Sequence, residues 1–213
     1  VMKGFLDALH NTTKTIEGLP ETLAPFGLQC VRDNMKSGTF KPNAPLSKNT
    51  KNAGAKPLFD TGETYASLTY KAGQDEYRVG TNKAHAPLIN NGGVIKAKKA
   101  KQLAIPINKQ VKKRSEVVGV RKTLEGLERQ GWKIFYRPHS IMGRAPLGGK
   151  AFGQKVKTKA NRNNKGADKG VFYVLYIRTP QVKVSSREFM VLSPEQQQAQ
   201  QEMALEQLKA AIQ

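Results

Sequence analysis

Charge along this chain is gathered into one place. Residues 96–171 carry 21 Lys and Arg against 4 Asp and Glu, a net of +17, whereas residues 1–95 come to +3 and residues 172–213 to zero. Cations at that density repel one another and cannot be buried unpaired, so the block must show them to solvent or to a partner. The core has to be built mainly from the rest. The sequence therefore divides into a near-neutral body, residues 1–95 and 171–213, and a basic insertion over residues 96–170.

With 213 residues the chain is long enough for one domain of about 140 residues plus an elaboration. The single Cys30 excludes an intramolecular disulfide and fits a reducing compartment. The longest apolar run, Val171–Ile177, falls far short of the roughly 20 residues of a membrane span. The first residues read as an amphipathic helix and not as a secretory leader, so the expectation is a soluble, intracellular chain without membrane contact.

Phe5, Leu6, Leu9, Thr13 and Ile16 recur at helical spacing and predict a helix over residues 2–18, interrupted by Gly18-Leu19-Pro20. A second helix is expected to run through Met35. Residues 37–57, rich in Gly, Pro and Asn, read as a long surface loop. Tyr65–Ala72 and Glu76–Gly80 predict two antiparallel strands around Gly73-Gln74-Asp75. A short helix is expected over Ala84–Asn90 and a strand over Leu103–Ile107, with Pro106 placing that strand at an edge or an end. Val171–Thr179 has the composition of a strand buried on both faces. Val182 and Val184 alternate with polar neighbours. Ser193-Pro194-Glu195-Gln196 predicts a capped start to a C-terminal helix whose buried stripe would be Leu205, Leu208 and Ile212. The expected fold class is α+β: an antiparallel sheet packed with N- and C-terminal helices, plus the long basic insertion.

Two stretches resemble enzyme motifs. Leu58-Phe59-Asp60-Thr61-Gly62 has the pattern of an aspartic peptidase, in which two carboxylates share a proton; a retroviral-type enzyme would supply the second Asp by dimerising. Ile141-Met142-Gly143-Arg144 echoes a second stretch of that family, although no clean strand is legible around it. Glu63 stands where a small residue is expected, and the competing reading is a turn at Asp60 leading into the next strand. Gly143–Lys150 nearly matches a phosphate-binding loop, but Lys150 arrives one position late and Ala151 supplies no hydroxyl. His10, His85 and His139 are scattered and none pairs with Cys30 at ligand spacing. No catalytic residue, metal or cofactor is expected.

The basic block holds two clusters. Lys96, Lys98, Lys99, Lys101, Lys109, Lys112, Lys113, Arg114, Arg121 and Lys122 form the first. Lys150, Lys155, Lys157, Lys159, Arg162, Lys165 and Lys169 form the second. Trp132, Phe135 and Tyr136 lie between them, and cations interleaved with aromatics are the ingredients of single-stranded nucleic-acid binding. The favoured reading is that Trp132, Ile134, Phe135 and Tyr136 form a small core, because they occupy one short run. The cations then face solvent, phosphates or an acidic partner. Lys112, Lys113, Arg114, Lys150, Lys155, Lys157, Lys159 and Arg162 are the candidates for partner or DNA contact. The Gly-, Asn- and Lys-rich residues 150–170 suit a segment that orders on contact.

The body resembles the phage virion morphogenesis family of tail-completion and neck proteins. The residues that carry the resemblance are Phe40–Thr50, then Pro57-Leu58-Phe59-Asp60-Thr61-Gly62, Tyr77-Arg78-Val79-Gly80-Thr81-Asn82, Ala86–Gly93, Leu103-Ala104-Ile105-Pro106 and finally Val182–Met190. The family's usual Trp before Pro-Leu is missing, and Ser185-Ser186 replaces Pro-Ala before Arg187. The resemblance implies a non-catalytic virion protein that forms a ring, a hexamer in preference to a dodecamer, at the head–tail junction. Its partners would be neighbouring neck, connector or tail proteins and packaged DNA. It would reside in the virion neck or tail, and in the host cytoplasm during assembly. Asp60, Gly62, Arg187 and Phe189 would serve structure and assembly, with Asp-Thr-Gly as a turn. The alternative from a different class is a basic nucleic-acid-binding protein.

Overall fold

The computed structural model describes residues 2–37, 39–52, 56–98, 100–156 and 170–212, without the side chains of residues 2–5. The chain is α+β and folds as two compact units. Unit 1 comprises Val1–Lys41, Pro57–Gly92 and Ser185–Gln213; unit 2 comprises Pro42–Lys56 and Gly93–Val184. The boundary drawn from charge at residues 95/96 and 170/171 thus falls inside unit 2, which also takes in the strongest strand of the sequence.

Unit 1 begins with α1 (Met2–Lys36), a single helix where the sequence suggested two. Pro20 and Pro25 lie inside it. Each proline withholds one N–H from the ladder, at the carbonyls of Ile16 and Glu21, both on exposed residues where water can take the place of the bond. The second half of α1 buries Leu23, Ala24, Cys30, Val31 and Met35. Next come α3 (Glu63–Ala66) and the hairpin of β1 (Leu68–Ala72) with β2 (Tyr77–Thr81), closed by Gly73 N–H donating to Glu76 O at 2.8 Å. Tyr65 and Ala66, read as strand in the sequence, belong to α3. α4 (Ala86–Asn91) follows as expected. The core gathers Val31, Met35, Leu68, Ala86 and Phe189, with Leu58, Phe59, Val79, Ile89 and Met190 around them.

The C-terminal helix α6 (Pro194–Ile212) starts with the anticipated capping box: Ser193 N–H donates to Gln196 Oε1 at 2.9 Å, and Gln196 N–H to Ser193 Oγ at 3.2 Å. Of the expected stripe, Leu208 lies on the half-buried side and the other two do not. Leu205 and Ile212 are exposed, while Ala199, Met203, Ala204, Leu208 and Ala211 are half-buried on the side that packs with α1. On α1 the matching half-buried positions are Ala8, Thr12, Thr15 and Leu19. Small residues predominate in this seam, joined by Leu19, Met203 and Leu208, while Leu205 and Ile212 are left outside.

Unit 2 contains α2 (Pro45–Thr50), set in what the sequence suggested was loop. It also contains a two-stranded ladder of β3 (Gly93–Lys96) with β9 (Gln181–Val184), and a five-stranded antiparallel sheet. That sheet runs β4 (Leu103–Pro106), β8 (Phe172–Thr179), β6 (Ser140–Arg144), β5 (Lys133–Tyr136), with β7 (Gln154–Lys155) also pairing β8. β4 is an edge strand, as Pro106 requires. β6 is a strand where none was legible. The basic block also supplies α5 (Lys109–Glu128), capped by Asn108 Oδ1 accepting from Val111 N–H at 3.0 Å.

The run Phe172–Thr179 is not buried on both faces. Phe172 and Val174 are half-exposed while Tyr173, Leu175 and Tyr176 are buried. The register against β6 jumps from Tyr176 to Val174, so Leu175 is a bulge that turns two consecutive side chains to the same face. Tyr176 OH then reaches Ser115 Oγ of α5 at 2.6 Å. Val111, Leu124, Leu127, Trp132, Ile141, Tyr173 and Leu175 make the core between α5 and the sheet. Trp132 is core, as favoured; Phe135 is half-buried and Tyr136 is exposed, so the expected aromatic core shrinks to its first members.

Candidate functional site

Two of the four assembly residues inferred from the body, Arg187 and Phe189, lie at one corner of unit 1. Arg187 N–H donates to the carbonyls of Ile89 (3.0 Å) and Asn90 (3.1 Å), and Arg187 Nε donates to Lys41 O at 3.3 Å. Two residues on, Phe189 is fully buried. Asn90 Oδ1 accepts from both Phe189 N–H and Met190 N–H at 3.1 Å each. From the other side Asn34 Nδ2 donates to Val191 O at 2.6 Å, and Gln196 Nε2 donates to Asn34 Oδ1 at 3.2 Å. An extended segment has no ladder partner for its polar groups, so side-chain amides from α1 and α4 satisfy them. Sequence reasoning singled out Arg187 and Phe189 but missed Asn34 and Asn90. An Asn in the last turn of a helix is a local signal; its partner nearly a hundred residues away is not.

Asp60, Thr61 and Gly62 form a bend that opens α3, the local geometry of the turn reading. Thr61 Oγ1 accepts from Glu63 N–H at 3.4 Å, and Gly62 sits at φ 84°, a left-handed conformation that favours glycine. Glu63 pairs with Lys83 Nζ at 2.9 Å, and that hydrogen bond and charge hold its carboxyl below the usual carboxylate range. Beside them His85 Nε2 meets Thr64 Oγ1 at 3.0 Å. The Gly143–Lys150 stretch runs from β6 into a turn, with Gly149 N–H donating to Pro146 O at 3.0 Å, and not into the helix that a phosphate-binding loop needs.

The terminal helices of unit 1 carry a second feature. Leu6, Leu9 and Ile16 of α1 are 57%, 55% and 53% exposed, and Leu205 and Ile212 of α6 are 54% and 62% exposed. On α1 these positions lie at i, i+3 and i+10, which places them along one helix face.

Unit 2 concentrates charge even more than the sequence block does. It holds 26 Lys and Arg against 4 Asp and Glu, a net of +22, which leaves unit 1 with 10 against 12, a net of −2. Lys112 approaches Glu116 at 3.7 Å and Arg121 pairs with Glu125 at 2.8 Å. Gly119, at φ 82° and ψ 162°, breaks α5 into two arms. Twelve residues of straight helix would separate Arg114 from Gly126 by about 18 Å. Instead a Cβ placed on Gly126 would lie 2.8 Å from Arg114 Nη2, so the arms fold back on each other. A groove of about 590 Å³ opens between them, lined by Arg114, Val118, Lys122, Glu125, Arg129 and Gln130. Arg114 and Gln130 also border a neighbouring hollow of about 360 Å³ that reaches Lys150. The Arg114 guanidinium lies over the Phe152 ring, 5.7 Å from its centroid.

Of the contact candidates, Arg114 and Lys150 are thus brought to adjoining hollows. Lys112 is half-buried beside Glu116, Lys113 is exposed on α5, and Lys155 is exposed on β7. Lys157, Lys159 and Arg162 lie outside the described residues. Lys122 and Arg129 belong to the groove but were not among the candidates, since nothing in the sequence told of the fold-back at Gly119. Among the described residues no helix is long and apolar enough to cross a membrane. Comparison of the chain with protein-family models, with curated proteins and with solved structures finds no match.

Proposed function

We propose that this chain is a structural subunit of a phage virion, of the neck or tail-completion type. It assembles into a ring at the head–tail junction and joins head to tail without catalysing a reaction. The observation that carries the reading is the row of exposed aliphatic side chains on the two terminal helices of unit 1: Leu6, Leu9 and Ile16 with Leu205 and Ile212. Large apolar side chains exposed along the helices of a folded subunit suit a contact with another protein, and a head-to-tail contact that closes under rotation makes a ring. The motifs behind the family resemblance support the same reading. Leu58-Phe59, Val79, Ile89 and Phe189-Met190 are scattered over 130 residues of sequence, yet they converge on one core. The test is mass measurement of the purified protein by light scattering at high salt, where charge-driven aggregation is screened. The expected result is a discrete oligomer that Leu9→Glu with Ile16→Glu converts to a folded monomer. A parent protein that stays monomeric at tens of micromolar, and that adds to neither tails nor heads, rules the reading out.

A further inference from the structure

We propose that the groove between the two arms of α5 is a binding track for the phosphate backbone of a nucleic acid. The proposal stands on unit 2 alone and does not depend on the ring assembly of unit 1. Arg114, Lys122 and Arg129 line the groove, and Lys150 borders the hollow that continues from it past Arg114 and Gln130. Among the described residues none of these four cations pairs with a carboxylate. The one acid in the groove, Glu125, is engaged by Arg121. Three such cations in one groove, with a fourth in the hollow next to it, repel one another, and an anionic partner that meets several at once relieves that repulsion.

The chemistry favours nucleic acid over an acidic protein. A protein interface places an apolar centre inside a polar rim. Among the residues lining this groove, Val118 is the apolar side chain open to solvent, at 40% exposure. Leu127 and Trp132, at the back of the neighbouring hollow, are buried in the core of unit 2. Beside Pro146 and Ala151 at the edge of that hollow, what remains to be contacted is chiefly a set of N–H donors: two guanidiniums, two ammoniums and the amide of Gln130, Gln110 Nε2 already donating to Ala151 O at 3.3 Å. A guanidinium matches two phosphate oxygens at once. Gly126 contributes by having no side chain, which leaves room for Arg114 in the groove.

Because these groups address phosphate and not base edges, binding should be independent of sequence and steeply dependent on salt. Neutralising four phosphates of a duplex gives a slope of log K against log salt of about −3.6, at about −0.9 per contact. Affinity should then fall about 150-fold between 50 and 200 mM salt.

The test is fluorescence anisotropy of the full chain with a labelled 30-base-pair duplex and with a single strand of the same length. Two charge-matched variants are compared: Arg114→Gln with Lys122→Gln and Arg129→Gln, and Lys96→Gln with Lys98→Gln and Lys183→Gln outside the groove. Emission of Trp132, the single tryptophan, reports that unit 2 remains folded. The groove variant should flatten the salt slope by about 2.7 and weaken binding at least tenfold more than the control variant. Arg114→Lys should keep the slope. Affinities of the duplex and the single strand at equal salt tell which form is preferred, and the slope expected per contact is about −0.9 for the first and about −0.7 for the second. Equal weakening by the two triple variants would mean diffuse attraction and overturn the proposal. Competition by polyglutamate as effective as by DNA, phosphate for carboxylate, would assign the groove to an acidic protein instead.

Discussion

Removing one amide should open the corner at Phe189. Asn90 Oδ1 accepts from two consecutive backbone N–H groups, Phe189 and Met190, at 3.1 Å each. Asn90→Ala leaves both donors without a partner. Phe189 is fully buried, so its N–H bears the desolvation penalty of an unsatisfied group; Met190 is half-buried and can recruit water. At about 1–3 kcal/mol for a buried orphan and less for a hydrated one, the loss comes to about 2–3 kcal/mol. The lost contact from Asn90 Nδ2 to Asn91 Oδ1, on the surface, adds little. Amide hydrogen exchange read by NMR resolves the effect locally. With tenfold for every 1.4 kcal/mol, the Phe189 and Met190 amides should exchange about 30- to 140-fold faster in the variant. Asn90→Asp keeps the acceptor and should retain most of the protection. If the Ala variant keeps both amides within threefold of the parent, Asn90 does not hold this corner and the clasp is incidental.

Gly119→Ala places a Cβ on a residue at φ 82° and ψ 162°, a region essentially reserved for glycine, and should cost about 1–3 kcal/mol; an unchanged melting temperature would show that α5 does not need the break. The thiol of Cys30 is pushed up first by burial and then by the Asp33 carboxylate, so its neutral form is favoured in the fold. Stability contributed there is present below the ordinary thiol range and lost as pH rises through it, and alkylation at pH 8 should be much slower in native protein than in urea; equal rates would refute the burial argument. Asp60→Asn should leave folding and assembly intact, because an amide oxygen can serve a turn as a carboxylate does. Loss of a proteolytic cleavage product in that variant, with folding preserved, would instead reinstate the peptidase reading.

Legibility followed locality. The capping box at Ser193 and Gln196, the short helix at α4 and the edge position of Pro106 depend on neighbours within a few residues, and sequence reasoning found them. α5 escaped notice because its buried positions, Val111, Thr123, Leu124 and Leu127, are few. They are also thrown out of step by the break at Gly119, so no single period runs through the block. The two prolines of α1 suggested an interruption because they weaken a helix; packing of Leu23, Ala24 and Val31 outweighs the two missing hydrogen bonds. On α6 the larger aliphatic residues drew the stripe toward Leu205 and Ile212, whereas the seam is made of Ala199, Met203, Ala204, Leu208 and Ala211. Hydrophobicity ranks residues by what burial would gain, not by what the neighbouring helix can accommodate. The bulge at Leu175 and the clasp of Asn34 and Asn90 are relations between distant segments, which periodicity does not record. At the candidate groove, Arg114 and Lys150 were legible as charge, but their convergence was not.

The division of the chain also fixes an order of events during synthesis. Unit 2 is drawn from residues 42–56 and 93–184, so all of it is made before residues 185–213, the segment that completes unit 1. α1 must wait for Phe189, Val191 and α6 before its buried side is complete. The bond from Asn34 to Val191 spans 157 residues. At about 5–20 residues per second, that interval lasts roughly 8–30 s. For that time Val31, Met35 and the small-residue face of α1 lack their final cover. The nascent chain therefore presents apolar helix surface on an unfinished unit 1, and is open to chaperones or to premature association with a sister chain until residues 185–212 are made.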